Sequence, residues 1–379
     1  MIEDMRIAFV VNNYPPRVGG VESHVSSLAQ HLRHLGQEVI VITLAEVPGK
    51  SVEEGIVVVR LKEYGRIGDV LGFPAPGVVR RVARILSDFD ADVVSVHTRF
   101  FPMSWVGLRA ATRRGVPVVH TEHGSGHVVS DSRVISRASR AVDRTMGRAM
   151  LRGADAILGV SEKVVDFVWQ LSGRRATVFY NAIDEHVAVP RTEVRPARPE
   201  GAIRLVFVGR LVPGKGVDAF VQTVAALVSR GLDVTADVLG DGPERTSTER
   251  MIVHAGLSGR IRLRGRVGAG IVRDVLTGAT LVNPTTLAEG FQTTLLEALA
   301  EGGRVVTYDV PGAALLADQG RPVLIVAEQS GEALADAVIA VSGAELSRAP
   351  MDEWFWPRRA TDFIDVINRA SASRRHRSA

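Results

Sequence analysis

The stretch VFVGRLVPGKGVD, residues 206–218, has the spacing of a loop that could hold phosphate. Gly209, Gly214 and Lys215 fit the first part of the G-x-x-x-x-G-K-[ST] pattern, in which backbone amides and a lysine surround phosphate oxygens. Gly216 stands where that pattern needs a Ser or Thr hydroxyl to hold Mg²⁺. The stretch therefore predicts either a phosphate site that lacks this metal ligand or no more than a turn.

A second stretch, NPTTLAEGFQTTLLEALAEGG at residues 283–303, contains two spaced carboxylates. Glu289 and Glu297 are eight residues apart, around a Gly290 turn and a helix that we expect to begin near Thr293. Glu289 is thereby placed in a loop after a strand, and Glu297 one turn inside the helix. Glu297 alone would be typical of a solvated helix residue, so the pairing with Glu289 is what favours a site.

The start of this predicted helix favours anionic oxygens. The first N–H groups of a helix have no partner within it, and the helix dipole adds positive potential there. We expect the amides of residues 290–294 to point at the ligand, and Arg210 and Lys215 to bring two cationic side chains to the same place. The two stretches together predict phosphate held by backbone amides and cations, without a metal ion.

The elements that position these loops alternate along the chain. Short apolar, β-branched runs are separated by segments of helical period, which is typical of buried parallel strands in βα units. The predicted strands are 6–11, 39–43, 56–60, 93–97, 116–120, 156–160, 177–180, 204–208, 234–239, 261–263, 281–283, 305–308 and 323–326. We therefore predict an α/β protein with two doubly wound parallel-sheet (Rossmann-like) domains that face each other across a cleft.

The domain limits follow from a change in composition. The stretch 188–201 is rich in Pro, Arg and Glu and shows neither period, so it is predicted to be a linker between domains at 1–187 and 202–350. Residues 351–379 are predicted to form a helix that returns toward the N-terminal domain, followed by a basic tail.

Composition narrows the class of protein. The 379 residues are 46% hydrophobic, include no cysteine and carry a net charge of +4. Disulfides and thiolate metal sites are thereby excluded, and a reducing compartment is favoured. The first residues are too acidic and their apolar run too short for a secretory signal, and no apolar run is long enough to span a bilayer. We expect a cytoplasmic protein, with peripheral attachment to the inner face of the membrane as an option.

The motifs GRLVPGKGVD and EGFQTTLLE together resemble the Arg/Lys and E-x7-E signature of retaining nucleotide-sugar glycosyltransferases of family 4, which have the GT-B fold. NNYPPRVGGVESHV resembles the glycine-rich opening of that family, with Gly19 and Gly20 before a helix that begins near Val21. VVHTEHGSG, ILGVSEKV and VFYNAID match its other landmarks in the expected order. The resemblance covers residues 6–368. Within the family, the chain resembles the phosphatidylinositol mannosyl- and GlcNAc-transferases.

The resemblance implies roles for residues of the C-terminal domain, which would bind the donor. Arg210 and Lys215 would bind the donor diphosphate, Glu289 would orient the donor sugar as a catalytic residue, and Glu297 would bind the ribose. The segment after Glu289 would also contact sugar and phosphate through Gly290, Phe291, Gln292 and Thr293. Gln292 stands where a glycine is usual, and VPGAA at residues 310–314 replaces a paired glycine, so the sugar pocket is expected to differ from that of the family.

The resemblance also implies roles in the N-terminal domain, which would bind the acceptor. The Gly19–Gly20 loop would close over the donor, and His123 would act as a catalytic residue beside the reacting carbon. Asn181, in VFYNAID, is assigned to the acceptor or membrane side.

Two groups of residues could suggest a metal. Asp88, Asp90 and Asp92 have D-x-D spacing but directly precede a buried strand, where short acidic residues commonly form turns. His120, His123 and His127 lack the spacing and the carboxylates of a known ligand set, and His120 is predicted to be a core histidine. We therefore predict no metal site and no cofactor.

A run of arginines at steps of three and four is predicted to lie on one helical face, opposite Val134, Ile135, Ala141, Val142 and Met146. The run consists of Arg133, Arg137, Arg140, Arg144, Arg148 and Arg152. A solvated face is one interpretation, but only Asp143 mixes the sign of the charge, which favours an anionic acceptor or an anionic membrane surface. Nucleic acid is not expected as a partner, because no aromatic residues alternate with the arginines.

The predicted function is retaining, metal-independent transfer of a sugar from a UDP- or GDP-sugar to an acceptor hydroxyl, with a lipid-linked or anionic glycan precursor as one acceptor class. Two alternatives stay open. A sugar-nucleotide epimerase with the same fold would need no acceptor, and a non-catalytic sugar-nucleotide-binding subunit would bind donor without turnover.

Overall fold

The computed structural model describes residues 4–17, 19–67, 71–127, 133–185, 202–287, 290–343 and 351–378. The chain divides into two compact units. The first comprises Met1–Asp184 with Glu353–Ala379, and the second comprises Glu185–Asp352. The predicted linker at 188–201 lies outside the described residues.

The first unit contains a sheet of nine strands. In chain order they are β1 (Arg6–Val10), β2 (Glu38–Ala45), β3 (Gly49–Glu53), β4 (Ile56–Ile67), β5 (Leu71–Pro74), β6 (Val93–His97), β7 (Val118–Glu122), β8 (Ala156–Gly159) and β9 (Thr177–Val178). Their order in the sheet is β3-β4-β2-β1-β6-β7-β8-β9, with β5 paired to β4. Pairing is parallel except at β3–β4 and β4–β5.

Helices cover this sheet because a crossover between parallel strands usually runs through one, although β2 is connected to its parallel neighbour β4 by the strand β3. They are α1 (Gly20–His34), α2 (Val78–Phe89), α3 (Pro102–Arg114), α4 (Arg133–Val142), α5 (Arg148–Gly153) and α6 (Glu162–Ser172). β1 and β6 are buried at nearly every position, as expected for strands covered on both faces.

The second unit is a six-stranded parallel sheet with helices between the strands. Its strands are β10 (Ile203–Val208), β11 (Val234–Leu239), β12 (Ile261–Gly265), β13 (Thr280–Asn283), β14 (Arg304–Thr307) and β15 (Val323–Ile325). Its helices are α7 (Val217–Ser229), α8 (Arg245–His254), α9 (Ala269–Leu276), α10 (Thr293–Ala300), α11 (Ala313–Asp318) and α12 (Gly331–Ser342). The strand order is β12-β11-β10-β13-β14-β15, so the chain reverses direction across the sheet between β10 and β13.

The last helix, α13 (Trp356–Ser378), packs on the first unit. Phe363 and Ile367 on this helix are fully buried in the core that also contains Phe9 and Leu28. Arg374 near its end donates to Asp155 at 2.7 Å. The C-terminal segment is therefore part of the first unit.

All thirteen predicted strands are present, but the sequence missed β3 and β5. Both are short antiparallel strands that pair with β4. Neither contains a continuous apolar run, so the sequence pattern alone did not indicate a strand there. Arg60 of β4 donates to Ser51 at 3.0 Å and to Glu53 of β3 at 2.5 Å. β4 also runs seven residues past its predicted end, since its outer half pairs with β5.

The helix that carries the arginine run is less regular than predicted, and the prediction of its apolar side is wrong at Val142 and Met146. Between α4 and α5 the chain forms a π-helical turn at Asp143–Gly147, where hydrogen bonds join residues five apart. This wider turn still keeps residues four apart on nearly the same side, so Arg144, Arg148 and Arg152 all stay exposed. Asp143 is 1% exposed, whereas Val142 and Met146, expected on the apolar side, are 38% and 39% exposed.

Part of the arginine run does share one surface. Arg137, Arg140 and Arg144 line a shallow depression together with Ala141 and Thr145. Arg148 and Arg152 are exposed on α5, while Arg133 begins α4 and its side chain lies outside the described part of the chain.

Candidate functional site

The loop between β10 and α7 carries Arg210 and Lys215, and its path depends on glycine. Gly216 has φ +81°, and a Cβ added there would lie 2.1 Å from the carbonyl oxygen of Pro284, in the loop after β13. The N–H of Thr286 donates to the carbonyl oxygen of Gly214 at 2.8 Å. The loops after β10 and β13 are therefore joined through their backbones, which no larger residue at position 216 would permit.

A second close approach fixes the other side of this loop. Gly240, after β11, has φ +143°, and a Cβ there would lie 1.8 Å from the carbonyl oxygen of Gly209. The N–H of Leu211 donates to the carbonyl oxygen of Asp241 at 3.0 Å. Arg210 is exposed and Lys215 is half-buried within this loop. In doubly wound sheets ligands bind at the carboxyl ends of strands where the strand order reverses, which is where these three loops lie.

The start of α10 follows in the same group of loops. Gln292 is the N-cap, with φ −86° and ψ 112°, and its side chain makes no capping hydrogen bond. The first N–H groups of α10 therefore receive no side-chain acceptor from this N-cap, as an anion-binding helix start requires. Thr293 opens the helix, and Glu297 lies one turn inside it and is half-buried. Glu289 lies outside the described residues, so its predicted position beside the helix start stays a prediction.

Phe291 holds the approach to α10 in place. Its side chain is 5% exposed, and its ring would lie 2.2 Å from a Cβ added at Gly312. Gly312, the single glycine of VPGAA, has φ +89° and is the N-cap of α11. Gln292 is 7% exposed and Gly290 is half-buried, so the glutamine that replaces a usual glycine lies within the fold rather than on its surface.

In the first unit the glycine pair lies at the start of α1. Gly19 is extended, at φ −177°, and is the N-cap of α1 without a side-chain cap. Nothing lies within 4 Å of a Cβ built on Gly20, whereas one on Gly19 would meet the Glu22 carboxylate at 2.2 Å. Glu22 is 8% exposed. The start of α1 is thus a glycine-lined turn with a nearly buried carboxylate beside it.

His123 follows β7 and belongs to a group of three histidines. Its Nε2 lies 3.1 Å from Nδ1 of His97, at the end of β6. His24 of α1 packs edge-on to both rings, with centroids 4.8 Å from His123 and 5.5 Å from His97. Asn181 holds His24 through a 2.9 Å contact between its Oδ1 and the ring Nδ1. The assigned residues His123 and Asn181 are therefore linked through a histidine that the sequence did not single out.

Burial keeps these imidazoles neutral. It lowers the pKa of His24 to about 4, although the hydrogen bond to Asn181 opposes the shift. Burial also lowers the pKa of His97 and of His123 well below 6.5, and the neighbouring histidines add to the shift. Near neutral pH the three rings therefore offer lone pairs rather than charge.

A buried ionic network supports His123 from the other side. Burial would raise the pKa of Glu122, but the Arg99 guanidinium and a hydrogen bond from His120 outweigh it and lower this pKa to about 2. Glu122 accepts the N–H of His123 at 3.1 Å. Arg99 also donates to both carboxylate oxygens of Asp143 at 2.9 Å, which ties the π-helical turn to the end of the sheet.

The histidines considered together in the sequence do not form one group. His120 is fully buried and bonds Glu122 at 3.2 Å, as expected of a core histidine. His127 instead bonds Asp143 at 2.5 Å. Sequence spacing could not find His24 and His97, because they approach His123 only when α1, β6 and β7 come together in the fold.

Of the D-x-D residues, Asp90 and Asp92 lie at a turn, whereas Asp88 lies within the end of α2. Asp90 is the C-cap of α2 in a left-handed conformation, and Asp92 Oδ2 accepts the N–H of Arg6 at 2.7 Å. These contacts join the end of α2 to the sheet and agree with the interpretation of Asp90 and Asp92 as turn residues.

Comparison with known proteins defines the class. The chain resembles a crystallised glycosyltransferase of Rickettsia africae at 17% identity, with a TM-score of 0.73 over 97% of this chain and 98% of that one. It also resembles the Anabaena protein HepE, solved in complex with UDP, at 18% identity and a TM-score of 0.66 over 99% and 98% of the two chains. The fold is thus GT-B.

The family follows from sequence models. One model, Glycosyltransferase Family 4, matches residues 18–187, and another, Glycosyl transferases group 1, matches residues 202–343. A GDP-mannose-dependent alpha-mannosyltransferase of Mycolicibacterium smegmatis is 28% identical over 81% of this chain and 80% of that protein. The chain belongs to the family 4 glycosyltransferases.

None of the helices in the described ranges is long and apolar enough to cross a bilayer.

Proposed function

We propose that this glycosyltransferase transfers a sugar from a nucleoside diphosphate donor, UDP- or GDP-linked, to an acceptor hydroxyl with retention of anomeric configuration and without a required metal ion. The observation that carries the proposal is the joining of three loops at the point where the strand order of the second sheet reverses. They join the Arg210–Lys215 loop to the loop after β13, which leads to α10, where the N-cap Gln292 makes no side-chain capping hydrogen bond. Two cationic side chains and the amides of a helix start suit the two negative charges of a diphosphate.

In the proposed mechanism these residues stabilise the negative charge of the leaving diphosphate. As the bond from the anomeric carbon to the diphosphate oxygen breaks, Arg210, Lys215 and the α10 amides stabilise the charge that develops on that oxygen. The acceptor oxygen bonds to the same face of the carbon, and its proton passes to the departing diphosphate oxygen. Glu289 orients the sugar and favours positive charge on the ring, while Glu297 binds the ribose. These two roles, and that of His123 beside the sugar, come from the family resemblance.

Similar proteins support both a UDP-linked and a GDP-linked donor. HepE was solved with UDP, and the mycobacterial relative is named for GDP-mannose. A screen of transfer and donor hydrolysis with several UDP- and GDP-sugars tests the proposal, and NMR of the product tests retention. An inverted product would contradict the same-face mechanism. Release of a free epimerised sugar without acceptor would favour an epimerase, and binding without any turnover would favour a non-catalytic subunit.

We further propose that the acceptor or its carrier is anionic. Arg137, Arg140 and Arg144 share one surface, and none of the described residues that line it is a carboxylate, which suits a phosphorylated glycan precursor or an anionic membrane surface. In this proposal the enzyme acts in the cytoplasm, peripherally on the inner membrane face. Co-sedimentation with anionic and neutral vesicles is the direct measurement.

A further inference from the structure

Three imidazole nitrogens converge within the first unit. His24, His97 and His123 come from α1, the end of β6 and the residue after β7, and one nitrogen of each lies within 4.8 Å of the other two. His97 is fully buried and His24 is 2% exposed. Buried polar atoms need partners, so three nitrogens directed at one place call for a chemical explanation.

The tautomer of His24 leaves one of these nitrogens without a proton. Because Asn181 offers its oxygen to Nδ1 at 2.9 Å, the ring carries its hydrogen on Nδ1 and a lone pair on Nε2. That Nε2 atom is buried and has no hydrogen-bond partner among the described residues. His24 therefore keeps an unused lone pair beside the other two histidines.

The outer nitrogens of two rings are held by oxygen atoms. His24 Nδ1 bonds Asn181, and His97 Nε2 lies 3.1 Å from the Ser95 hydroxyl. This is the support that metal-binding histidines commonly receive on the nitrogen that does not bind the metal. His97 Nδ1 and His123 Nε2 are 3.1 Å apart, close to the roughly 3.3 Å that separates two nitrogens bound at about 2.0 Å to one tetrahedral ion.

We propose that His24 Nε2, His97 Nδ1 and His123 Nε2 form a binding site for a divalent transition-metal ion of the Zn²⁺ type, with a fourth position for water or another oxygen ligand. Imidazole suits Zn²⁺, Co²⁺, Ni²⁺ and Cu²⁺, whereas Mg²⁺ and Ca²⁺ prefer oxygen ligands. Binding replaces the His97–His123 hydrogen bond by two metal–nitrogen bonds. The proton of that bond moves to the outer nitrogen of its own ring, so the ligands stay neutral and no net proton is released.

The site has a consequence for activity. An ion bound to His123 Nε2 would withdraw that residue from the sugar, so Zn²⁺ is expected to inhibit transfer reversibly. This consequence rests on the proposed function, whereas metal binding itself does not. The two are separated by measuring binding on the protein without donor or acceptor.

Calorimetry on the EDTA-stripped full-length protein tests the site. We expect one Zn²⁺ per chain and no binding of Mg²⁺, with at least a tenfold loss of Zn²⁺ affinity in His24→Gln and in His97→Gln. The matched control is the double variant His31→Gln with His34→Gln, which removes a neighbouring histidine pair of α1 whose ring centroids are 5.8 Å apart. This control should bind Zn²⁺ like the parent, and Co²⁺ should give the visible absorption of a four-coordinate site only when His24 and His97 are present.

Absence of Zn²⁺ binding in the parent would overturn the proposal, as would binding that depends on His31 and His34. Should the buried histidine variants fail to fold, Asn181→Ala provides a second test. It keeps all three ligands but removes the acceptor that orients His24, and loss of such support typically costs 10- to 100-fold in metal affinity. Unchanged affinity in folded Asn181→Ala would contradict the assigned orientation of His24 and with it the site.

Discussion

The two units hold their candidate residues by different means. In the first unit His123 is fixed by buried side chains, since His97 and Glu122 both contact it within about 3.1 Å. In the second unit Arg210 and Lys215 lie on a loop whose path is fixed by backbone contacts at Gly216 and Gly240. The first arrangement orients one ring by hydrogen bonds, and the second fixes a backbone path on which Arg210 is exposed and Lys215 is half-buried.

The difference suggests how each unit contributes. A buried, neutral histidine group can hold one ring rigidly but offers little charge. A glycine-shaped loop beside a helix start provides charge and amides at low steric cost, which is what a diphosphate requires. We therefore expect changes in the second unit to affect donor binding and leaving-group chemistry, and changes on the surface of the first to affect the acceptor.

The largest effect is expected at Glu289. A carboxylate beside the anomeric carbon becomes more important as the diphosphate leaves, so Glu289→Ala should lower kcat by on the order of 10²–10³. Affinity for the sugar-free nucleoside diphosphate should stay nearly unchanged, which calorimetry can measure beside steady-state kinetics. Loss of nucleotide binding with normal kcat would show that the roles of the two glutamates are exchanged.

Glu297→Ala should act on binding instead. A hydrogen bond from ribose to a carboxylate is worth roughly 1.5–3 kcal/mol, or about 10- to 150-fold in affinity. We expect the donor KM and the Kd for the free nucleoside diphosphate to rise together, with a smaller change in kcat. Glu301→Gln, one turn further along, is the comparison variant, and an equal effect there would argue against a specific ribose contact.

Some of these features could be predicted from the sequence and others could not. The strand pattern, the Gly214–Lys215 loop and the start of α10 depend on short-range signals, and the structure contains them at or near the predicted residues. The histidine group could not be predicted, because His24 and His97 are 73 residues apart and only the β1–β6 pairing and the packing of α1 bring them together. The π-helical turn was missed for the same reason, since buried contacts of Asp143 with Arg99, rather than helix period, determine it.

The surface arginines test the acceptor side of the comparison. Each basic residue near an anionic surface contributes about 1 kcal/mol, so Arg137→Glu with Arg144→Glu should weaken binding to anionic vesicles by at least about 30-fold or raise the acceptor KM similarly. Nucleotide affinity should stay unchanged. Arg109→Glu with Arg113→Glu, on α3, is a charge-matched control, and an equal effect of both pairs would indicate net charge rather than this surface.

A comparison of two glycine substitutions, at Gly216 and Gly231, tests the backbone contact in the second unit. Gly216 and Gly231 have nearly the same φ, +81° and +78°, but only Gly216 approaches another backbone, while nothing lies within 4 Å of a Cβ at Gly231. Gly216→Ala should therefore lower the free energy of unfolding by about 1–3 kcal/mol more than Gly231→Ala, as measured by urea titration. Equal losses would mean that φ strain alone explains both glycines.

The smallest effect is expected from removing metal ions, and it separates the two units most clearly. In the second unit Arg210, Lys215 and the α10 amides meet the charge of the leaving diphosphate, so transfer should continue at its full rate in excess EDTA. In the first unit a transition-metal ion trapped by the histidine group would occupy His123, so EDTA should leave activity equal or higher, never lower. Steady-state rates before and after chelation, followed by addition of Mg²⁺, Mn²⁺ or Zn²⁺, make the comparison.

Loss of activity in EDTA with recovery on Mg²⁺ or Mn²⁺ would show that a metal ion binds the diphosphate and would favour Asp88 and Asp90 as its ligands. Recovery with Zn²⁺ alone would instead make the histidine group part of the catalytic machinery rather than an inhibitory site.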